Sequence, residues 1–214
     1  MALPRLCVCC DNGIAEGFAC DECLQRLRVT EKIYRSTIID YYFSLYEFIA
    51  ETEIQDIVHH LKYQHMKSIG NYFGELLGKR IHEEISDRFD LVIPVPLHKT
   101  KYAERTYNQS EYIASGIAKI TGASASFNLL KRTRYTQSQT KLDISRRKDN
   151  VKNAFETSPP APLHRNGEGR NHLIGKNIIL VDDIVTTGST IMECAEVLKD
   201  AGCNKVLACS IARA

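Results

Sequence analysis

Two adjacent carboxylates, Asp182 and Asp183, followed closely by the hydroxylic run Thr186-Thr187-Gly188-Ser189-Thr190, are the residues of this 214-residue chain best suited to chemistry. Paired acids can hold a diol or a divalent cation. A glycine among hydroxyls lets backbone N–H groups and side chains converge on one anion, above all where a helix starts. Together they ask for a phosphate and a polyol in one ligand. The run is not a triphosphate-binding loop, because no Gly-Lys-Ser/Thr follows the glycine. Nor is it a dinucleotide fingerprint, because Gly188 stands alone where three glycines are needed. The blander alternative is a solvated acidic loop in which Ser189 or Thr190 merely caps a helix.

Such residues need a scaffold, and the flanking sequence supplies one. Residues 178–181 (Ile-Ile-Leu-Val) form the short apolar run expected of a parallel strand buried on both faces, ending in the two acids. In an open α/β sheet, ligands sit beyond the carboxyl ends of the strands. Residues 90–97 (Asp-Leu-Val-Ile-Pro-Val-Pro-Leu) read as a second buried strand, whose prolines stop the ladder and fix a rigid loop at the same end. His98, Lys99, Lys101 and Arg105 make the following loop basic, either as a pyrophosphate holder or as ordinary surface. Asn108 with Glu111 has capping-box spacing and opens a helix that turns Ile113, Ile117 and Ile120 inward.

An amphipathic stripe at Ile54, Ile57, Val58 and Leu61 and a second helix over residues 69–85 precede that strand. After the acidic motif, Ile191, Ala195 and Leu198 mark a helix face, and residues 206–211 form a last strand. The alternation predicts an α/β fold with a mostly parallel sheet over residues 53–214. Residues 31–52, rich in aromatic and β-branched types, read as connecting strands, and the Pro/Gly-rich stretch 157–175 as a flexible surface excursion.

Five of the eight cysteines fall within the first 23 residues. Cys7-x-x-Cys10 and Cys20-x-x-Cys23, nine residues apart, have the spacing of a tetrahedral structural Zn²⁺ site, with Cys9 as the spare unless it displaces Cys7; a redox pair is the alternative. A module of residues 1–30 is too small to build its own core, so a metal would replace one. Net charge of +2 gives no overall signal for nucleic acid, but residues 131–152 hold eight basic side chains against two acidic ones. No run approaches the ~18 apolar residues of a membrane span, and the start lacks the apolar core of a signal peptide, so a cytoplasmic protein is expected.

The segment Val181-Asp182-Asp183-Ile184-Val185-Thr186-Thr187-Gly188-Ser189-Thr190 resembles the phosphoribosyl-pyrophosphate (PRPP) motif of type I phosphoribosyltransferases. Residues Pro94-Val95-Pro96-Leu97-His98 and Arg105-Thr106-Tyr107-Asn108-Gln109 are similar to the first loop of the ComF family within that superfamily, with Thr106 standing where the family has Gly. The family's Gln-Thr-Gly-Leu, Arg-x-x-Asn and Ala-Phe are matched by Gln139, Thr140, Leu142, Arg147, Asn150, Ala154 and Phe155, with Lys141 in place of Gly.

The resemblance implies a type I phosphoribosyltransferase fold carrying a four-cysteine zinc module, with PRPP or ribose 5-phosphate as ligand. Asp182 and Asp183 would then contact the ribose 2′ and 3′ hydroxyls, directly or through Mg²⁺, and Thr186, Thr187, Gly188, Ser189 and Thr190 would hold the 5′-phosphate. Pro96, Leu97, Lys99 and Arg105 would line the pyrophosphate side, and Gln139, Arg147 and Asn150 would belong to a hood. Related transferases are often dimers, and ComF relatives are implicated in uptake of single-stranded DNA in natural competence, alongside competence-machinery partners. Two functions are therefore carried forward: a Mg²⁺-dependent phosphoribosyltransferase of unknown acceptor, and a non-catalytic protein that handles single-stranded DNA. Thr186 stands where 6-oxopurine transferases have an aspartate base, so hypoxanthine and guanine are expected to be poor acceptors.

Overall fold

The computed structural model describes residues 5–134, 154–157 and 172–214. Strands β1 (Arg5–Leu6) and β2 (Gly13–Ile14) pair antiparallel ahead of helix α1 (Asp21–Gln25). Strand β3 (Tyr41–Glu47) leads through α2 (Glu53–Tyr63) and α3 (Lys67–Glu84) to β4 (Leu91–Pro94). Helices α4 (Lys99–Arg105) and α5 (Gln109–Thr121) then reach β5 (Ser124–Ala125). Next come β6 (Leu130–Arg132) and β7 (Phe155–Thr157), an antiparallel pair of their own. The chain continues with β8 (Asn177–Val185), α6 (Ser189–Asp200) and β9 (Lys205–Arg213).

The main sheet has the order β3-β9-β8-β4-β5, parallel throughout. Parallel neighbours need crossovers, and these cover both faces. The alternation of β8 divides the interior accordingly: Ile179 and Val181 join a core with α2, α3 and α5, while Ile178 and Leu180 join one with α6 and β7. β8, central and buried on both sides, carries the acids.

The stretch expected only to connect, 31–52, supplies the sheet's edge strand β3, paired with β9 from Tyr41↔Leu207 to Glu47↔Arg213. The N-terminal module likewise shares the domain's core. Cys7, Phe18, Cys23 and Leu27 are buried, and the Phe18 ring lies 5.2 Å from Tyr72 and 5.8 Å from Phe73 on α3. Of the surface excursion, residues 158–171 lie outside the described residues, and Leu173 beyond them is buried. Among the described residues, no helix is long and apolar enough to cross a membrane.

Helices α3 and α5 cross at glycines. A Cβ on Gly74 would collide with the Ile113 carbonyl oxygen, and one on Gly116 with that of Asn71. Backbone atoms on both sides cannot yield as a flexible side chain would. Gly74→Ala is therefore expected to cost about 2 kcal/mol by urea denaturation, overpacking outweighing the ~1 kcal/mol gain in helix propensity. Unchanged or increased stability would contradict this packing.

Candidate functional site

The sequence placed the end of the strand at the acids; in the structure β8 runs through them. Its ladder with β9 continues from Asp182↔Ser210 to Val185↔Arg213, whereas its ladder with β4 stops at Pro94↔Val181. The Val95 N–H makes one further bond to the Val181 carbonyl, at 2.8 Å, and Pro96 has no N–H to extend it. The acids are therefore held straight by one neighbour and uncovered by the other. Pro96 and Leu97 are half-buried beside this gap, and Lys99 is exposed.

The two carboxylates have different surroundings. Asp183 is 4% exposed and fully engaged: Oδ2 accepts from Lys62 Nζ at 2.9 Å and from Gln109 Nε2 at 2.9 Å, and Oδ1 from the Ile184 N–H at 2.6 Å. Asp182 accepts from Ser110 Oγ at 3.2 Å and from the Asp183 N–H at 2.9 Å, both on Oδ1. Burial, and next the charge of Asp183, push the Asp182 carboxyl up to about 7. One acid is thus locked and the other is poised near neutrality.

Both acids meet the start of α5. Asn108 caps that helix, its Oδ1 accepting from the Ser110 N–H at 3.1 Å, while its Nδ2 donates to the Val95 carbonyl at 3.0 Å. Gln109 bonds Asp183 through its nitrogen and Arg105 Nη1 through its oxygen, at 3.1 Å. Arg105 also donates to the Tyr63 hydroxyl at 3.3 Å and lies over that ring. The basic loop expected at residues 98–105 is instead helix α4, whose first turn is capped by His98 Nδ1 accepting from the Thr100 N–H at 3.3 Å. Thr106 ends it at φ 65°, ψ −4°, the left-handed region. A β-branched residue there carries strain of about 1–2 kcal/mol, so the backbone shape that glycine favours is kept without glycine.

Lys101 is half-buried, and burial first, then the charges of Arg105, Arg132 and Lys62, lower its pKa. These four cations and Asp183 are therefore neighbours, with more positive than negative charge. Lys62 and Ser110 escaped the sequence reading, and Arg132 entered it only as one of the basic side chains of residues 131–152. Lys62 directly follows Leu61 on the amphipathic α2, where a lysine reads as solvent-facing, and no local signal connects it to a carboxylate 121 positions away.

The hydroxylic run forms a turn into α6. Its N-cap is Gly188, at φ 77° and without a side chain, and the first helical turn holds no acid. The blander alternative, in which Ser189 or Thr190 caps the helix, is therefore not what is seen: the Ser189 N–H makes a long bond to Thr187 Oγ1, at 3.4 Å, and the two hydroxyls lie 3.0 Å apart. Thr186 and Thr187 are exposed, and Ser189 and Thr190 half-buried. An anion could take the remaining donors of that turn. Gln139, Arg147 and Asn150 lie outside the described residues.

Cys7, Cys10, Cys20 and Cys23 bring their sulfurs within 4.8 Å of one another, and Cys10 Sγ lies 3.8 Å from Cys20 Sγ. Zn–S bonds of ~2.3 Å in a tetrahedron require sulfurs about 3.8 Å apart, so the four residues fit such an ion. Cys9 is the spare, its sulfur turned to the Glu53 carbonyl at 3.8 Å and its thiol pushed up to about 12, first by burial. Burial would also raise the Cys7 thiol, but backbone N–H groups of Cys20, Cys9 and Cys10 bring it down to about 6. That is the environment of a thiolate ligand.

A phosphoribosyl transferase domain model matches residues 113–214. Competence protein F of Haemophilus influenzae is 30% identical over 125 residues, 58% of this chain, which spans 51% of that protein. DNA utilization protein YhgH of Escherichia coli K12 is 27% identical over 183 residues, 84% of this chain and 70% of its own length. The Salmonella typhi protein of the same name is 27% identical over 204 residues, 91% and 78%. Among solved structures, a glutamine PRPP amidotransferase from B. subtilis aligns with a TM-score of 0.44 at 19% identity over 72% of this chain and 30% of its own, too loosely to bear on function.

Proposed function

This chain is a phosphoribosyltransferase-like protein of the ComF family, built on the type I phosphoribosyltransferase fold, and we propose that it binds PRPP with Mg²⁺ and transfers the ribosyl 5-phosphate. The observation that carries this reading is the set of parts assembled at one strand end. The cations Lys62, Lys101 and Arg105 gather around Asp183, and the helix start capped by Gly188, which has no side chain to offer, follows the two acids along the chain. PRPP presents three groups to match them: pyrophosphate, ribose diol and 5′-phosphate.

In this reading, Asp182 orients the diol or a Mg²⁺ that neutralises the pyrophosphate. Asp183, Gln109 and Arg105 form a braced row beside Asp182, and the reacting atom is the anomeric carbon of the ribose. The bond from that carbon to the pyrophosphate oxygen breaks as the acceptor's lone pair arrives. The leaving charge is met by Arg105, Lys101 and Lys99, and no covalent nucleophile is needed. The four-cysteine site takes Zn²⁺ in a structural role.

A second reading, single-stranded DNA handling without catalysis in a competence pathway, rests on the relatives named for competence and DNA utilization. Both readings are consistent with a protein working in the cytoplasm. One preparation separates them. Acceptor-dependent pyrophosphate release from PRPP is expected of a transferase, with hypoxanthine and guanine inert because Thr186 does not ionise near neutral pH. Robust turnover of either purine would overturn the Thr186 argument. DNA binding that weakens steeply with salt, and whose salt slope flattens in Arg146→Ala/Arg147→Ala, with no pyrophosphate release, would favour the second reading.

A further inference from the structure

A cavity of about 590 Å³ opens along the turn 187–189, taking Thr187, Gly188 and Ser189 into its wall but none of Asp182, Asp183, Lys62 or Arg105. Its volume is within the ~300–1,000 Å³ usual for small-ligand sites. Ile39, Val185, Ile191 and Met192 make much of its lining apolar. One wall is aromatic and cationic: the Tyr34 and Tyr42 rings lie 6.0 Å apart, tilted by 33°, and the Arg213 guanidinium sits 4.8 Å from the first ring centroid and 5.4 Å from the second. Ladder pairing of Arg213 with Val185 brings that guanidinium to the level of the phosphate turn, and among the described residues it forms no ion pair.

We propose that this cavity is a nucleobase subsite for a ligand joined through a phosphodiester to the phosphate on the turn. The inference rests on the reading of the turn as a 5′-phosphate site. With a phosphate there, one ester arm leads to the ribose at Asp182 and Asp183, and the other leads into the cavity. A flat, amphipathic ring one ester link from the phosphate matches the walls: the aromatic rings of Tyr34 and Tyr42, a guanidinium plane, and the exposed Glu196 to accept from a polar ring edge. The ligand class is a dinucleotide unit, and binding at this subsite makes or breaks no bond.

The test compares adenylyl-(3′→5′)-adenosine with adenosine 5′-monophosphate by calorimetry on the whole protein. Both carry the diol and 5′-phosphate, and only the first has a second nucleoside for the cavity. Tyr34→Ala is expected to weaken dinucleotide binding about tenfold, the scale of one lost base–aromatic stack, while leaving monophosphate affinity within about twofold. Tyr34→Phe, which keeps the ring, is expected to retain dinucleotide affinity and reports that the fold is intact. Monophosphate binding with a dinucleotide affinity indifferent to Tyr34→Ala, or an equal loss for both ligands, overturns the subsite and leaves the phosphate turn standing. Dinucleotide binding that depends on Tyr34 without monophosphate binding would keep the subsite and remove the 5′-phosphate reading. Failure of both ligands to bind overturns both.

Discussion

Asp182→Asn is expected to stabilise the ligand-free protein at pH 8, and Asp183→Asn to destabilise it, although the two residues are adjacent. The Asp182 carboxyl, raised to about 7 by burial and by Asp183, keeps a proton in the folded state that the unfolded chain has already released above about pH 4. Its contribution is fully favourable below the unfolded value and is lost as pH rises through about 7. Asparagine removes that penalty, with a gain on the order of 2 kcal/mol at pH 8 and none at pH 4. Asp183 is the partner of Lys62, whose side chain is only 19% exposed. Removing one member of such a pair leaves a buried charge without compensation and costs about 3–5 kcal/mol, most of which Lys62→Met should restore in the double variant. Denaturation of the three variants at pH 4 and pH 8 checks this. Equal losses for both single variants would mean that Asp182, like Asp183, is a structural residue.

Loss of the metal is expected to be as large a perturbation as Asp183→Asn. The module's β1, β2 and α1 contain only 2, 2 and 5 residues, yet Cys7, Phe18, Cys23 and Leu27 lie within the domain core. On the proposed zinc assignment its order depends also on the ion, whose binding to comparable peptides is worth roughly 10–16 kcal/mol at pH 7. Chelation, or Cys20→Ser, should release the module and expose the face of Tyr72 and Phe73 that Phe18 covers. A fall in Tm of about 10 °C is expected, corresponding to some 3–5 kcal/mol for a chain of this length. Metal analysis should give one Zn²⁺ per chain. An absence of zinc, or full zinc retention in Cys20→Ser, would refute the assignment.

The features legible in the sequence were those written locally. The apolar run before Asp182, the proline stop at Pro96, the Asn108 cap and the doubled Cys-x-x-Cys each depend on neighbours within a few positions, and each has its expected place in the structure. What escaped depends on distant partners. β3 joins the sheet only through a parallel ladder with β9, so nothing near Tyr41 marks it as part of the main domain. Helix α4 has seven residues and none of them buried, hence no periodic stripe to announce it. Lys62 acquires its role only when α2 folds over the end of β8. The site was thus visible as a motif, while the division of labour between its two acids was not.

The central claim, that Asp182 and the turn after it hold a ribose phosphate, is tested most directly by calorimetric titration with ribose 5-phosphate and Mg²⁺ at pH 6.5 in two buffers of different ionisation enthalpy. Binding should release a fraction of one proton, because Asp182 must ionise to engage the diol or the cation. Asp182→Asn should reduce that release to what the ligand phosphate itself gives up, and weaken binding by the roughly 1.5–3 kcal/mol of a charge-assisted contact. Ribose 5-phosphate binding with the same affinity and the same proton balance in wild type and Asp182→Asn would contradict the account.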